Sequence, residues 1–113
     1  MGGETEVRRQ VVYTVLPYHH ATQSALRRKR KDVRDRLAEY KTARAAWREF
    51  CREHPKSDIR REDLAWEAEE ARRWWNTALD SLAYGLRIKK GIEDGSLNGN
   101  GVPWSELPHL ARG

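Results

Sequence analysis

Apolar side chains recur at helical spacing in two long segments of the chain. The first segment runs from about Thr22 to His54, and from Val33 onward its apolar residues lie four, three, seven and four positions apart. This spacing keeps them on one face of an α-helix. The stripe consists of Leu26, Val33, Leu37, Tyr40, Trp47 and Cys51, widened by Ala43 and Phe50. We therefore predict an amphipathic helix that begins near Thr22 or Ser24 and stops before Pro55, which cannot continue it.

The second segment has a matching apolar stripe. Its members are Leu64, Ala68, Ala71, Trp75, Ala78, Leu82 and Leu86, flanked by Leu79. Ser57 or Asp58 is a suitable N-cap, and we expect the helix to run to about Lys90, with Gly91 as its cap. Each helix is then about 30 residues, or roughly 45 Å, long. Because the connection from His54 to Ser57 is short, the sequence predicts an antiparallel two-helix hairpin.

Shorter elements are predicted on either side of this hairpin. The segment VRRQVVYTVL, from Val7 to Leu16, has β-branched and aromatic residues at a period of two, which is typical of a strand. Pro17 ends it, and a lone strand must pair with its own copy or lie across the helices. GIEDGSLNGNG predicts a flexible linker, and the apolar tail VPWSELPHL follows it. The chain thus divides into an N-terminal arm, the helical hairpin, and a linker with tail, at residues 1–21, 22–90 and 91–113.

The expected fold is mainly α, with the short N-terminal strand and the C-terminal tail appended to the hairpin. Much of both apolar stripes is alanine, and a hairpin leaves one side of each stripe open. A chain of 113 residues built in this way has a thin core for a monomer. We expect two copies to pair into a helical bundle, so that the protein is a homodimer. The alternative is that the strand and the tail cover the stripes.

The positive charge of the chain is concentrated at the start of the first helix. The whole chain holds 22 Lys and Arg against 17 Asp and Glu, a net charge of +5. Residues 27–36 alone hold seven basic side chains against two acidic ones, which is also a difference of +5. The remainder of the chain is therefore neutral in sum. Such a balance favours nucleic acid or an acidic protein as the partner.

Basic residues also follow one side of the first helix. Arg27, Arg34, Lys41 and Arg48 recur every seven residues, with Arg30, Arg44 and Arg52 close beside them. We call these seven residues the basic ridge; from Arg27 to Arg48 it extends about 30 Å. Such a ridge can follow a chain of phosphates. The predicted nucleic-acid-binding residues are Arg27, Arg28, Arg30, Lys31, Arg34, Lys41 and Arg48. The alternative is a solvated flank, or one that pairs with acids of a neighbouring helix.

A second apolar stripe is predicted on the outer side of the second helix. It contains Ile59, Trp66, Tyr84 and Ile88, with Trp74 at its margin. Exposed aromatic and branched side chains in such number are unfavourable, so we expect something to cover them. One possibility is the tail, through Val102, Trp104, Leu107 and Leu110; the other is a protein partner. The predicted partner-binding residues are Trp66, Tyr84, Ile88 and Trp104.

No catalytic, metal or cofactor site is predicted. Cys51 and His54 lie three residues apart, but no paired CxxC accompanies them, and no glycine-rich phosphate loop follows a strand. We expect a protein that is not an enzyme. A single cysteine excludes an intrachain disulfide, and no apolar run approaches the length of a membrane span. These features favour the bacterial cytoplasm, with no membrane partner.

Two segments resemble known regulators. RQVVYTVLPYHH resembles the strand, Leu-Pro pair and start of the first helix in ribbon-helix-helix repressors, over about a tenth of the chain. That resemblance implies that Gln10, Val12 and Thr14 face a DNA groove, although the following helix lacks the early break of that fold. DGSLNGNGVPWSEL is similar to the C-terminal tails of small bacterial antitoxins. We expect a small basic accessory or regulatory protein that binds nucleic acid, encoded by a phage or plasmid. The alternative is a helical adaptor or inhibitor, for example an antitoxin, that acts through its exposed aromatics and tail.

Overall fold

The computed structural model describes residues 15–56 and 58–106, and its regular elements are helical. A 3₁₀ turn, Pro17–His20, precedes helix α1, Gln23–Glu53. Helix α2, Ile59–Asp94, follows, and a second 3₁₀ turn covers Trp104–Glu106. The described ranges contain no strand, and the predicted strand lies almost wholly outside them. Gln10, Val12 and Thr14, which the resemblance to ribbon-helix-helix repressors places against DNA, also lie outside the described ranges.

Local capping sets the start of each helix. The backbone N–H of Ala25 donates to the Thr22 hydroxyl oxygen at 3.2 Å, and the N–H of Leu26 donates to the Thr22 carbonyl at 2.9 Å. Asp58 caps α2, since its carboxylate accepts the N–H of Arg60 at 3.0 Å. The bonds to the Thr22 hydroxyl and to the Asp58 carboxylate satisfy amides that have no partner within the helix. The predicted start of α1 near Thr22 is confirmed, and Asp58, one of the two N-cap candidates of α2, caps that helix. Helix α1 ends two residues before Pro55.

The end of α2 differs from the prediction. The helix continues through Gly91 to Asp94, and Gly95 ends it with a φ of +83°, the left-handed conformation that glycine adopts without strain. Gly91 is buried, and its carbonyl accepts the backbone N–H of Leu97 at 2.9 Å. The prediction that Gly91 caps the helix and opens a flexible linker is therefore wrong. A side chain at residue 91 would overlap Leu97, so the glycine permits close packing there.

The chain forms two compact units. One, the hairpin unit, is Arg27–Ala83; the other, the terminal unit, combines the residues up to Leu26 with those from Tyr84 onward. In the hairpin unit, α1 and α2 pack antiparallel. The Lys29 ammonium donates to the Ser81 hydroxyl at 2.6 Å, and farther along α1 the Tyr40 ring stacks on Trp75 with centroids 5.9 Å apart. The predicted helical hairpin is confirmed.

The helix seam of the hairpin unit follows an alternation of three- and four-residue steps. This spacing is typical of a coiled-coil contact. All of the seam positions are buried or half-buried. On α1 the seam consists of Lys29, Val33, Arg36, Tyr40, Ala43, Trp47 and Phe50; on α2 it consists of Arg61, Leu64, Ala68, Ala71, Trp75, Ala78 and Leu82. Three of the seven seam positions on α2 are alanine, so part of the face opposite the aromatic residues of α1 carries small side chains.

In the terminal unit, a loop after α2 folds back on the helix instead of hanging free. Val102 is fully buried, and Ile88 is 7% exposed. The Asn98 side-chain oxygen accepts the backbone N–H groups of Asn100 and Val102 at 2.9 and 3.1 Å. The carbonyl of Asn100 accepts the N–H of Tyr18 at 2.9 Å, which joins the loop to the first 3₁₀ turn. Leu86, predicted on the inner stripe, is 39% exposed, and the buried positions here are Gly85 and Ile88 instead.

Substitution of Gly101 tests this loop. Gly101 has a φ of +78°, and a Cβ on it would lie 2.8 Å from the Ile88 side chain and 2.9 Å from the Tyr18 nitrogen. Gly101→Ala combines backbone strain with a clash, so we expect the free energy of unfolding to fall by about 2 kcal/mol or more in urea denaturation. Gly99→Ala is the matched control, because nothing lies within 4 Å of its added methyl group. Equal stability of the two variants would contradict the packing described.

Candidate nucleic-acid interface

The basic ridge lies on the exposed flank of α1. All seven of its residues are exposed. Within the described part of the chain, none of them has a carboxylate partner within ion-pair distance. From Arg27 to Arg52 the ridge extends about 37 Å at 1.5 Å per residue. Its charge is therefore directed to solvent and is not neutralised by its neighbours.

Three of the five acids of α1, which are Asp32, Asp35 and Glu39, pair on the other flank. Lys31 binds Asp35 at 2.8 Å, and this hydrogen bond lowers the pKa of the Asp35 carboxyl. Arg36 lies within 3.5 Å of Asp32 and 3.3 Å of Glu39. Because these acids already have basic partners, and lie away from the ridge, they leave its charge intact.

Two of the seven predicted nucleic-acid-binding residues do not belong to the ridge. Lys31 is ion-paired with Asp35, although so exposed a pair is weak. Arg28 is exposed but lies about 160° around the helix from Arg30, at about 100° per residue. The structure thus separates Arg28 from Arg27, Arg30, Arg34, Lys41 and Arg48, which share one flank. Lys31, three or four residues from Arg34 and Arg27, lies at the edge of that flank and is paired with Asp35.

A cleft opens beside the second half of the ridge. It has a volume of about 780 Å³ and is lined by residues of α1 together with one residue from the start of α2. We call it the basic cleft; its lining is Lys41, Arg44, Ala45, Trp47, Arg48, Glu49, Cys51, Arg52 and Arg61. Five of these side chains are basic and one is acidic. The cleft therefore combines an aromatic ring with a concentrated positive charge.

Arg61 is the functional candidate that the sequence analysis missed. Its guanidinium donates to the Pro55 carbonyl at 3.1 Å, which holds the side chain near the turn between the helices. The signal was present in the three- and four-residue steps of α2, in which Arg61 lies one step before Leu64. A search for basic residues on α1 alone does not find it.

A smaller cleft of about 260 Å³ shares Arg44 and Trp47 with the basic cleft. Its other lining residues are Tyr40, Ala65, Ala68 and Glu69. The alanines of α2 do not fill the seam opposite the aromatic rings, which leaves this space open. Hydrogen bonding from Arg72 lowers the pKa of the Glu69 carboxyl, so that its one acid is already paired.

The predicted partner-binding residues have different environments. Trp66 is 64% exposed in the hairpin unit, and Ile59 on the same outer stripe is 75% exposed. In the terminal unit, Ile88 is 7% exposed because the loop at Gly101 lies against it, so that the chain itself covers this side chain. Tyr84 contacts the edge of His20, with ring centroids 5.3 Å apart. Trp104 is 54% exposed, and its indole N–H donates to the Gly95 carbonyl at 2.8 Å.

Few other chemical groups converge in the described ranges. They contain no cluster of three or more His, Cys, Asp or Glu side chains with the geometry to hold a metal ion. The His54 ring stacks on Phe50 with centroids 4.3 Å apart, while Cys51 lines the basic cleft. Neither α1 nor α2 contains an apolar stretch long enough to cross a bilayer, as judged from the residues that the structure describes.

Comparisons with known proteins leave the site to be interpreted from its own geometry. No protein-family model matches the chain, and neither a curated protein nor a solved structure matches it.

Proposed function

We propose that this protein binds nucleic acid through the basic ridge of α1 and acts as a small accessory or regulatory protein. The observation that carries the proposal is the separation of charge on α1. The ridge is exposed and has no ion-pair partner in the described residues, whereas three of the five acids of the helix are paired on the other flank. A surface of this kind attracts a polyanion along its whole length.

Phosphate binding explains why such a ridge is useful. Each basic side chain that neutralises a phosphate releases condensed counterions, and this entropy gain drives association. Arginine, which supplies six of the seven ridge residues, presents a planar fork that matches phosphate oxygens. Contacts of this kind position a protein on nucleic acid without reading its sequence. We therefore propose binding that depends little on base sequence.

Paired charge substitutions test the ridge. Arg44→Gln with Arg48→Gln removes two charges from the ridge, and we expect affinity for DNA or RNA to fall about tenfold, or roughly 0.7 kcal/mol per lost phosphate contact. Arg28→Gln with Lys90→Gln removes the same charge from exposed positions outside the ridge and is the matched control. Fluorescence anisotropy at about 50 mM salt, where electrostatic binding is strong, measures both. Equal losses in the two variants, or no binding by the unmodified protein, would overturn the proposal.

The second candidate function is that of a protein-binding adaptor or inhibitor, of which an antitoxin is one form. The exposed Trp66 and Ile59 on the outer face of α2 favour it, because large apolar side chains often anchor interfaces. We expect an adaptor to retain its partner after nuclease treatment and at high salt, and to lose it in a Trp66→Ser variant. If the partner protein is lost after nuclease treatment, the adaptor proposal is contradicted and only the nucleic-acid-binding proposal remains.

We also propose that the protein is a homodimer in the cytoplasm. Only six hydrophobic residues of the described ranges are buried, and three of these are alanines. Four Trp or Ile side chains are about half exposed or more: Ile59, Trp66, Trp74 and Trp104. Pairing of two copies would remove part of this apolar surface from water. We expect sedimentation at micromolar concentration to show a dimer; a monomer that melts cooperatively would contradict this.

A further inference from the structure

The basic cleft combines arginines, which bind phosphate, with an aromatic ring, which a simple phosphate-binding surface does not need. Trp47 is half-buried and lines both this cleft and the smaller one beside it. Around it stand the side chains of Arg44, Arg48, Arg52 and Arg61. An indole in a cleft that four arginines also line offers a stacking surface next to several phosphate sites.

We infer that the basic cleft binds single-stranded nucleic acid, with one base stacked on Trp47 and the flanking phosphates on the arginines. This inference rests on the proposed function and names its ligand class. In a duplex the bases are stacked on each other, so an aromatic ring set in a cleft cannot reach a base face. A single strand leaves its bases free to stack on aromatic side chains while its backbone follows a positive groove.

The dimensions of the cleft suit this ligand. Its volume of about 780 Å³ lies within the range of pockets that hold small organic ligands, roughly 300–1,000 Å³, so that it admits a nucleotide. The smaller cleft extends the groove past Arg44 and Trp47 toward Tyr40. The exposed Glu49 is the one acid of the basic cleft, and a carboxylate can accept a hydrogen bond from a base amino group.

The smaller cleft, on the other side of Trp47, originates in the residues of α2 that line it. The seam places Ala68, and the flanking Ala65, opposite the side of α1 that carries Trp47. Larger side chains at these two positions would pack against the indole and close the space. The alanines therefore keep one side of Trp47 available, while the arginines of α1 and Arg61 surround the opening.

The most direct experiment changes the ligand and leaves the protein intact. Three probes are compared by anisotropy: an oligothymidylate, an abasic phosphodiester chain of the same length, and a duplex with the same number of phosphates. We expect the oligothymidylate to bind about tenfold more tightly than the abasic chain, because one stacked base contributes about this factor. The duplex should bind no better than the abasic chain.

Cys51 localises the binding. It is the only cysteine of the chain, it is half-buried, and it lines the basic cleft, so alkylation of its thiol reports on that place alone. Saturating oligothymidylate should slow alkylation severalfold. A Trp47→Phe variant, which keeps a ring in the seam, should retain part of the preference for oligothymidylate over the abasic chain. Unchanged alkylation with saturating oligothymidylate would overturn the assignment to this cleft.

The outcomes separate this inference from the proposed function. Equal affinity for the oligothymidylate and the abasic chain, or tighter binding of the duplex, would overturn the single-strand inference and leave nucleic-acid binding by the ridge in place. Failure of all three probes to bind at about 50 mM salt would overturn both, because electrostatic association is strong under that condition.

Discussion

The seam between α1 and α2 is the contact on which the other features of the hairpin unit depend. Its three- and four-residue steps turn one face of each helix inward, and this fixes which side chains face solvent. On α1 the inward face includes Tyr40, Trp47 and Phe50, whereas on α2 three of the seven inward positions are alanine. The mismatch in size leaves clefts beside Trp47 instead of a filled core. The same register turns the basic ridge outward and leaves Lys29 and Arg36 to bridge the seam with their polar ends.

The terminal unit is organised by different forces. Its buried apolar set is small, and the loop after α2 takes its shape from backbone amides that donate to one side chain, that of Asn98. Gly101 permits the loop to lie against Ile88 and the turn at Tyr18, where any side chain would collide. A glycine- and asparagine-rich segment can thus be specifically folded when its polar groups find partners and one apolar residue, here Val102, is fully buried.

Periodicity and capping chemistry were sufficient to predict the two helices, the start of α1 near Thr22, Asp58 as one of two N-cap candidates for α2, and the hairpin. Two aspects depended on tertiary contacts and were not predictable in the same way. Both Gly91 and Gly95 are suitable helix ends, and only the packing of Leu97 on the helix decides between them. Ile88 lies on the outer stripe by periodicity, but a loop buries it. At the site, the sequence predicted the basic ridge. It did not predict the position of Arg61 or the two clefts, because these depend on how the two helices pair and on small side chains that leave space between them.

The proposed binding of nucleic-acid phosphates depends on a concentrated set of basic side chains on the hairpin unit that have no ion-pair partner among the described residues. Its most direct measurement is the dependence of affinity on salt, taken with a short single-stranded oligonucleotide. Five basic residues line the cleft, and a single strand gives a slope of about −0.7 per neutralised phosphate, so log K against log salt concentration should fall with a slope of about −3.5. A slope close to zero would contradict the account, because binding would then come from apolar contacts.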